Sequence, residues 1–195
     1  MSYHAPDDEG VPTTSMYPHQ EKTEIDSKLF RRVMGRFTTG VTVITAESEG
    51  AVRGMTANAF MSGSLSPPLC IISIAKKARM HGTLEKARHF GVSILAQGQE
   101  AISQHFAGQG SADPEPLFAH MQGVPVLSGV SAAIAATIEA QHDCGDHSIF
   151  IGRIVGLRDD DRLPLVFHGG KYATIRHRKE APSGEAIDFW ELPPE

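Results

Sequence analysis

The chain has only two cysteines and one tryptophan, and its longest apolar stretch is the short run PLCIISIA at 68–75. Each shortage excludes something. Crossing a bilayer takes about 20 consecutive apolar residues, so this stretch falls far short. Cys70 and Cys144 lie far apart, with Cys70 inside the apolar run, which argues against a disulfide framework and fits a reducing, cytoplasmic setting. An excess of basic charge is missing too. The 18 Lys and Arg against 23 Asp and Glu leave a formal net charge of −5, and no basic patch interleaved with aromatics attracts a phosphate backbone, so nucleic acid is set aside. The opening MSYHAPDDEG is acidic and polar and lacks the basic-then-apolar order of a signal peptide. No internal repeat or low-complexity tract occurs.

What is present suits one soluble domain. With 195 residues, 41% apolar and 21% charged, the chain can bury a core of ordinary size. Residues 1–24 carry no periodicity and are expected to form a mobile arm. At 26–37, DSKLFRRVMGRF spaces Leu29, Phe30, Val33, Met34 and Phe37 by threes and fours, which predicts an amphipathic helix capped by Asp26 or Ser27. TTGVTVITA and AVRGMTANAF, separated by ESEG, read as a hairpin. PLCIISIA reads as a strand buried on both faces. MHGTLEKARH predicts a helix, FGVSIL a strand, and GQEAISQHFAG a helix ending at Gly108. Pro and Gly density marks 108–123 as a loop. SAAIAATIEAQHD has alanines that favour helix and a period-two alternation that favours strand, and is taken as strand. SIFIGRIVGLRD and PLVFHGGKYATI add further strands. The fold class is mainly β with peripheral helices, a barrel or sandwich, with the domain over 25–178 and a tail over 179–195.

Two constellations carry chemistry. The first is GMTANAFMSGSLSPPL, where Thr56, Ala57 and Asn58, then Ser62, Gly63 and Ser64, place hydroxyls, an amide and unhindered backbone N–H groups at a strand end. That equipment can hydrogen-bond a ring edge and a phosphate. An irregular loop of self-capping Ser and Asn accounts for the same composition. The second is HDCGDHSIF. His142, Cys144 and His147 lack the spacings of a zinc site, so no metal is expected, and a polar turn with Gly145 for backbone geometry is the alternative. No Ser-His-Asp or Cys-His arrangement for a nucleophile is identifiable. Lys76, Lys77 and Arg79 in KKARM read either as an anion grip or as a solvated cluster.

Taken together, FRRVMGRFTTGVTVIT, GMTANAFMSGSLSPPL, FGVSIL, GDHSIFIGRI and PLVFHGGKY, in that order over roughly 28–175, closely resemble the short-chain flavin reductase family. The resemblance implies a split β-barrel homodimer that binds FMN or FAD and takes electrons from NADH or NADPH. It also implies a partner, the flavin-dependent monooxygenase that receives the reduced flavin. Carried over by position, it implies that Met55, Thr56, Ala57 and Asn58 address the flavin ring and that Ser62 and Ser64 sit near the ribityl phosphate. Lys77 and Arg79 would pair with phosphate charge. Ala78 and Met80 stand where many relatives carry Ser or Thr. His147, in GDH, falls near the flavin face where nicotinamide docks, and is the catalytic candidate. Phe106 and Tyr172 match positions near the two rings, where stacking is a sensible use of either; as core residues they need no such role. Two rivals remain: a pyridoxamine-phosphate-oxidase-like enzyme on the same barrel, and a flavin-binding module without turnover.

Overall fold

The computed structural model describes residues 24–109 and 118–176. The expected arm lies outside them apart from Glu24, as do the tail with Trp190 and positions 177–178. In chain order the elements are α1 (Ser27–Met34), β1 (Thr39–Gly40), β2 (Thr42–Ser48), β3 (Ala51–Ala57), β4 (Phe60–Ser64), β5 (Leu69–Ala75), α2 (Arg79–Leu84), β6 (His89–Ile94), α3 (Glu100–Phe106), β7 (Phe118–Met121), β8 (Val124–Leu127), β9 (Ala132–Cys144), β10 (His147–Asp159), β11 (Val166–His168) and β12 (Lys171–Ala173).

Seven strands form one antiparallel sheet in the order β3-β2-β6-β9-β10-β5-β4. Its two edges, β3 and β4, are consecutive in the chain and joined through Asn58 and Ala59. The sheet therefore curls until its edges share a corner without pairing along their lengths, which makes a split barrel. The β1-β11-β12 and β7-β8 sheets flank it. The Ala-rich segment is strand β9, paired with β6 on one side and β10 on the other.

Alternation along β2 explains why both faces of Thr42–Ala46 are buried. Ile44 and Ala46 join Ile72, Ile74, Phe90, Val92, Ile134 and Phe150 in one core cluster, while Val43 joins Val41, Leu95, Val126, Leu127 and Leu165 in a second. Each such side chain taken fully from water contributes roughly 1.5–3 kcal/mol. Met80 and Leu84 insert from α2 into the first cluster, so this short helix rests against the barrel at β2, β3 and β5.

Three expectations change. β5 is buried on one face only, through Cys70, Ile72 and Ile74, with Ile71, Ser73 and Ala75 half-buried, because it lies one strand from the open edge. The expected loop contains β7, whose alternating FAHM pairs with β8; flanking Pro and Gly hid that period. α2 stops at Leu84, five residues before the basic, polar end of the predicted helix. By contrast Asp26 caps α1 as expected, accepting hydrogen bonds from the backbone N–H of Lys28 and Leu29 at 3.0 and 3.3 Å. The apolar stripe of α1 and the Phe37 that follows it are left uncovered by the described residues: Phe30, Val33, Met34 and Phe37 are all more than half exposed.

Candidate functional site

The corner between β3 and β4 is fixed from both sides. The Thr42 hydroxyl donates to the Ala57 carbonyl at 2.7 Å, and the Ser73 N–H donates to the Ala59 carbonyl at 3.0 Å. Thr56 does not point freely into solvent, since its hydroxyl donates to the Ser103 carbonyl of α3 at 2.7 Å. The Tyr172 hydroxyl donates to Ser103 Oγ at 3.0 Å. One buried serine thus ties the corner strand to β12, and sequence reasoning missed it. A serine inside a polar helix gives no signal of burial.

These ties enclose a cavity of about 230 Å³ lined by Thr56, Ala57, Asn58 and Tyr172, together with Val41, Ser103, Ala107, Gln109 and Phe167. Four of the residues singled out in the sequence therefore meet. The lining suits a flat amphipathic ring: Phe167 and Tyr172 pack edge-on with centroids 5.7 Å apart, and the exposed Asn58 amide has no hydrogen-bond partner among the described residues. Nearby, Thr39 Oγ1 is the buried side-chain oxygen that lacks a partner among the described residues, on β1 opposite Phe167.

Met55, Arg79 and Phe106 line a neighbouring cavity of about 540 Å³ with Arg53, Gly54 and His105. Phe106 lies across the backbone of β3 at Gly54, where an added Cβ would fall 2.4 Å from its ring. It is a half-buried packing residue as well as a cavity wall.

His147 opens β10 opposite Ala75 of β5, two residues from the Ser73 that holds the corner. Its Nδ1 lies 2.7 Å from Asp146 Oδ1. That hydrogen bond, then the charge of His147 and more weakly that of Lys77, hold the Asp146 carboxyl below its ordinary value. Gly145, at φ +61°, makes the turn that presents the pair. Lys77 is exposed on this side, while its neighbour Lys76 pairs with Asp143 at 3.1 Å; Lys77 and Arg79 thus serve different places. Ser62 and Ser64 line neither cavity. Ser62 sits opposite Cys70, itself opposite Gly152, five residues and so roughly 17 Å along β10 from His147.

The fold and this corner together define a flavin-reductase-type split barrel. The chain belongs to the family of the flavin reductase like domain, whose family model matches residues 34–176. It is 41% identical over 155 residues to the NADH-dependent flavin reductase of Rhodococcus sp, covering 78% of this chain and 88% of that protein. It is 38% identical over 147 residues to the reductase component of 4-hydroxyphenylacetate 3-monooxygenase from Thermus thermophilus, covering 75% and 95%. Among solved structures, the flavin reductase PheA2 in its native state superposes with a TM-score of 0.77 at 42% identity, covering 78% of this chain and all of that one.

Proposed function

We propose that this protein is an NAD(P)H-dependent flavin reductase that reduces FMN or FAD and passes the reduced flavin to a partner monooxygenase. The observation that carries the reading is the meeting of Thr56, Ala57, Asn58 and Tyr172 around one cavity at the open corner of the barrel. The names of the relatives, an NADH-dependent flavin reductase and a monooxygenase reductase component, support it.

When bound, the flavin supplies the redox chemistry, accepting a hydride from the dihydronicotinamide. The protein's task is orientation. Asn58 offers an amide, and the backbone from Met55 to Ala57 offers hydrogen-bonding groups, to fix the ring edge and steady charge that develops there. Tyr172 and Phe167 wall the ring, and Arg79 takes phosphate. His147, held by Asp146 and outside the lining of both cavities, positions the nicotinamide. Lys77 contributes positive charge beside that pair. Holding two reactants in line removes up to roughly 7–11 kcal/mol of barrier.

The working form is a homodimer over the 25–178 domain. An eight-residue helix is marginal on its own, and among the described residues nothing covers Phe30, Val33 and Met34 of α1, a face that a second copy would bury. A cytoplasmic site agrees with the two free thiols and with the lack of any helix, among the described residues, long and apolar enough to cross a membrane.

The test is to mix protein, NADH and excess FMN or FAD in air and follow NADH absorbance. Consumption that depends on added flavin is expected. A binding module would leave NADH untouched, and a pyridoxamine-phosphate-oxidase-like enzyme would oxidise its amine substrate without NADH.

A further inference from the structure

We infer that Arg53 and Arg79 form a diphosphate clamp that makes FAD the preferred flavin over FMN. The inference rests on the flavin-site reading above and concerns the length of the ligand that site accepts. Two cavities of comparable size share these two arginines. The nearer, about 540 Å³, runs from Met55 and Phe106 to the guanidinium groups. The farther, about 530 Å³, continues past them to Ser48, Glu49, Ala51, Gly82, Thr83 and Lys86. Each lies within the range of roughly 300–1,000 Å³ that small ligands occupy.

The two arginines differ from their basic neighbours in lacking a carboxylate partner among the described residues. Arg153 and Arg158 are paired with Glu139 and Asp160, and Lys86 with Glu49 at 3.0 Å. Among the described residues no carboxylate lies within 4.0 Å of Arg53 or Arg79. Two guanidinium groups that have no partner among the described residues and belong to residues lining the same two cavities match a diphosphate, since each presents a planar fork of N–H donors to phosphate oxygens. Three cations against one carboxylate line the farther cavity, while the chain as a whole is acidic.

The order of residues along β3 gives the direction. From Ala57 at the ring corner to Arg53 is four residues, about 13 Å of strand, with Met55 and Gly54 between. A mononucleotide laid along this strand ends at the arginines. The farther cavity then holds the adenosine half of a dinucleotide, where the Ser48 hydroxyl and the Glu49 carboxylate face a ribose. Strand continuity with the ring corner assigns the clamp to FAD and not to the diphosphate of NADH.

The test is equilibrium titration of the wild-type protein with FMN and with FAD at low salt, followed by flavin fluorescence. FAD is expected to bind at least about tenfold more tightly, the scale of a hydrogen bond to a charged group. Arg53→Gln is expected to weaken FAD about tenfold more than FMN. Gly82→Leu tests the cavity independently of charge: a Cβ at Gly82 meets open space, so the leucine fills the farther cavity, and it too should weaken FAD selectively. Equal affinities of the two flavins in the wild type overturn the inference while leaving the flavin site intact. So does an Arg53→Gln variant with a raised KM for NADH and the wild-type ratio of flavin affinities. Binding of neither flavin overturns the clamp together with the reading beneath it.

Discussion

Gly54 and Phe106 occupy each other's space: a Cβ at Gly54 would lie 2.4 Å from Phe106 Cε1. The bare backbone of β3 lets α3 come close enough for the Thr56 hydroxyl to reach the Ser103 carbonyl, and for Tyr172 to reach the Ser103 hydroxyl. The corner is shaped by a helix that a single methyl group would push away.

Gly54→Ala should therefore cost roughly 1–3 kcal/mol in urea unfolding, the usual range for overpacking, and weaken flavin binding along with it. Gly54→Ala combined with Phe106→Ala should lose less stability than the two single changes added together, because the clash is gone. Strict additivity would show that the two residues do not oppose each other.

Thr56→Val keeps the shape of the side chain and removes its bond to α3. Stability should fall by about 1 kcal/mol, and the KM for flavin should rise while the KM for NADH moves less. An unaltered melting temperature would mean that the 2.7 Å bond to Ser103 holds nothing in place.

His147→Ala should raise the KM for NADH and leave the flavin affinity near its wild-type value. The same variant tests the electrostatics. The Asp146 carboxyl is held below its ordinary value by the hydrogen bond from His147, so what the pair contributes is present above that ordinary 3.8 and is lost only as pH falls through the lowered value. Carboxyl titration by NMR should place Asp146 below 3.8 in the wild type and move it upward in His147→Ala.

The two thiols should behave oppositely. Cys144 is exposed and Cys70 buried, and burial pushes the Cys70 thiol up to about 11. A disulfide reagent should label Cys144 at once and Cys70 only on unfolding. The raised value also predicts a loss of stability between about pH 9 and 11, where the unfolded chain gives up the proton that the folded chain keeps. Fast labelling of Cys70 in the native protein would contradict its placement at the barrel core.

The legible parts of this molecule were those set by local pattern. Asp26 announced its helix, β-branched residues and the ESEG turn announced β2 and β3, alternation announced β9 and β10, and the Thr56-Ala57-Asn58 string marked the corner. Ser103 was illegible because its importance comes from Tyr172, 69 residues away, and a distant hydroxyl leaves no trace in spacing. Arg53 was illegible because an arginine on an exposed strand reads as solvated until α2 brings Arg79 to the same cavities. Ser62 follows Asn58 closely in sequence, yet it sits on β4 opposite Cys70 and does not line the corner cavity.

Replacement of the Asn58 amide by an apolar side chain, followed by flavin titration and steady-state turnover with NADH, tests the central claim most directly. Asn58→Leu should fold like the wild type, since Asn58 is exposed, and should raise the flavin Kd and KM about tenfold or more, the scale of losing a hydrogen bond to a developing charge. Wild-type flavin affinity and turnover in that variant would contradict the placement of the flavin ring at this corner.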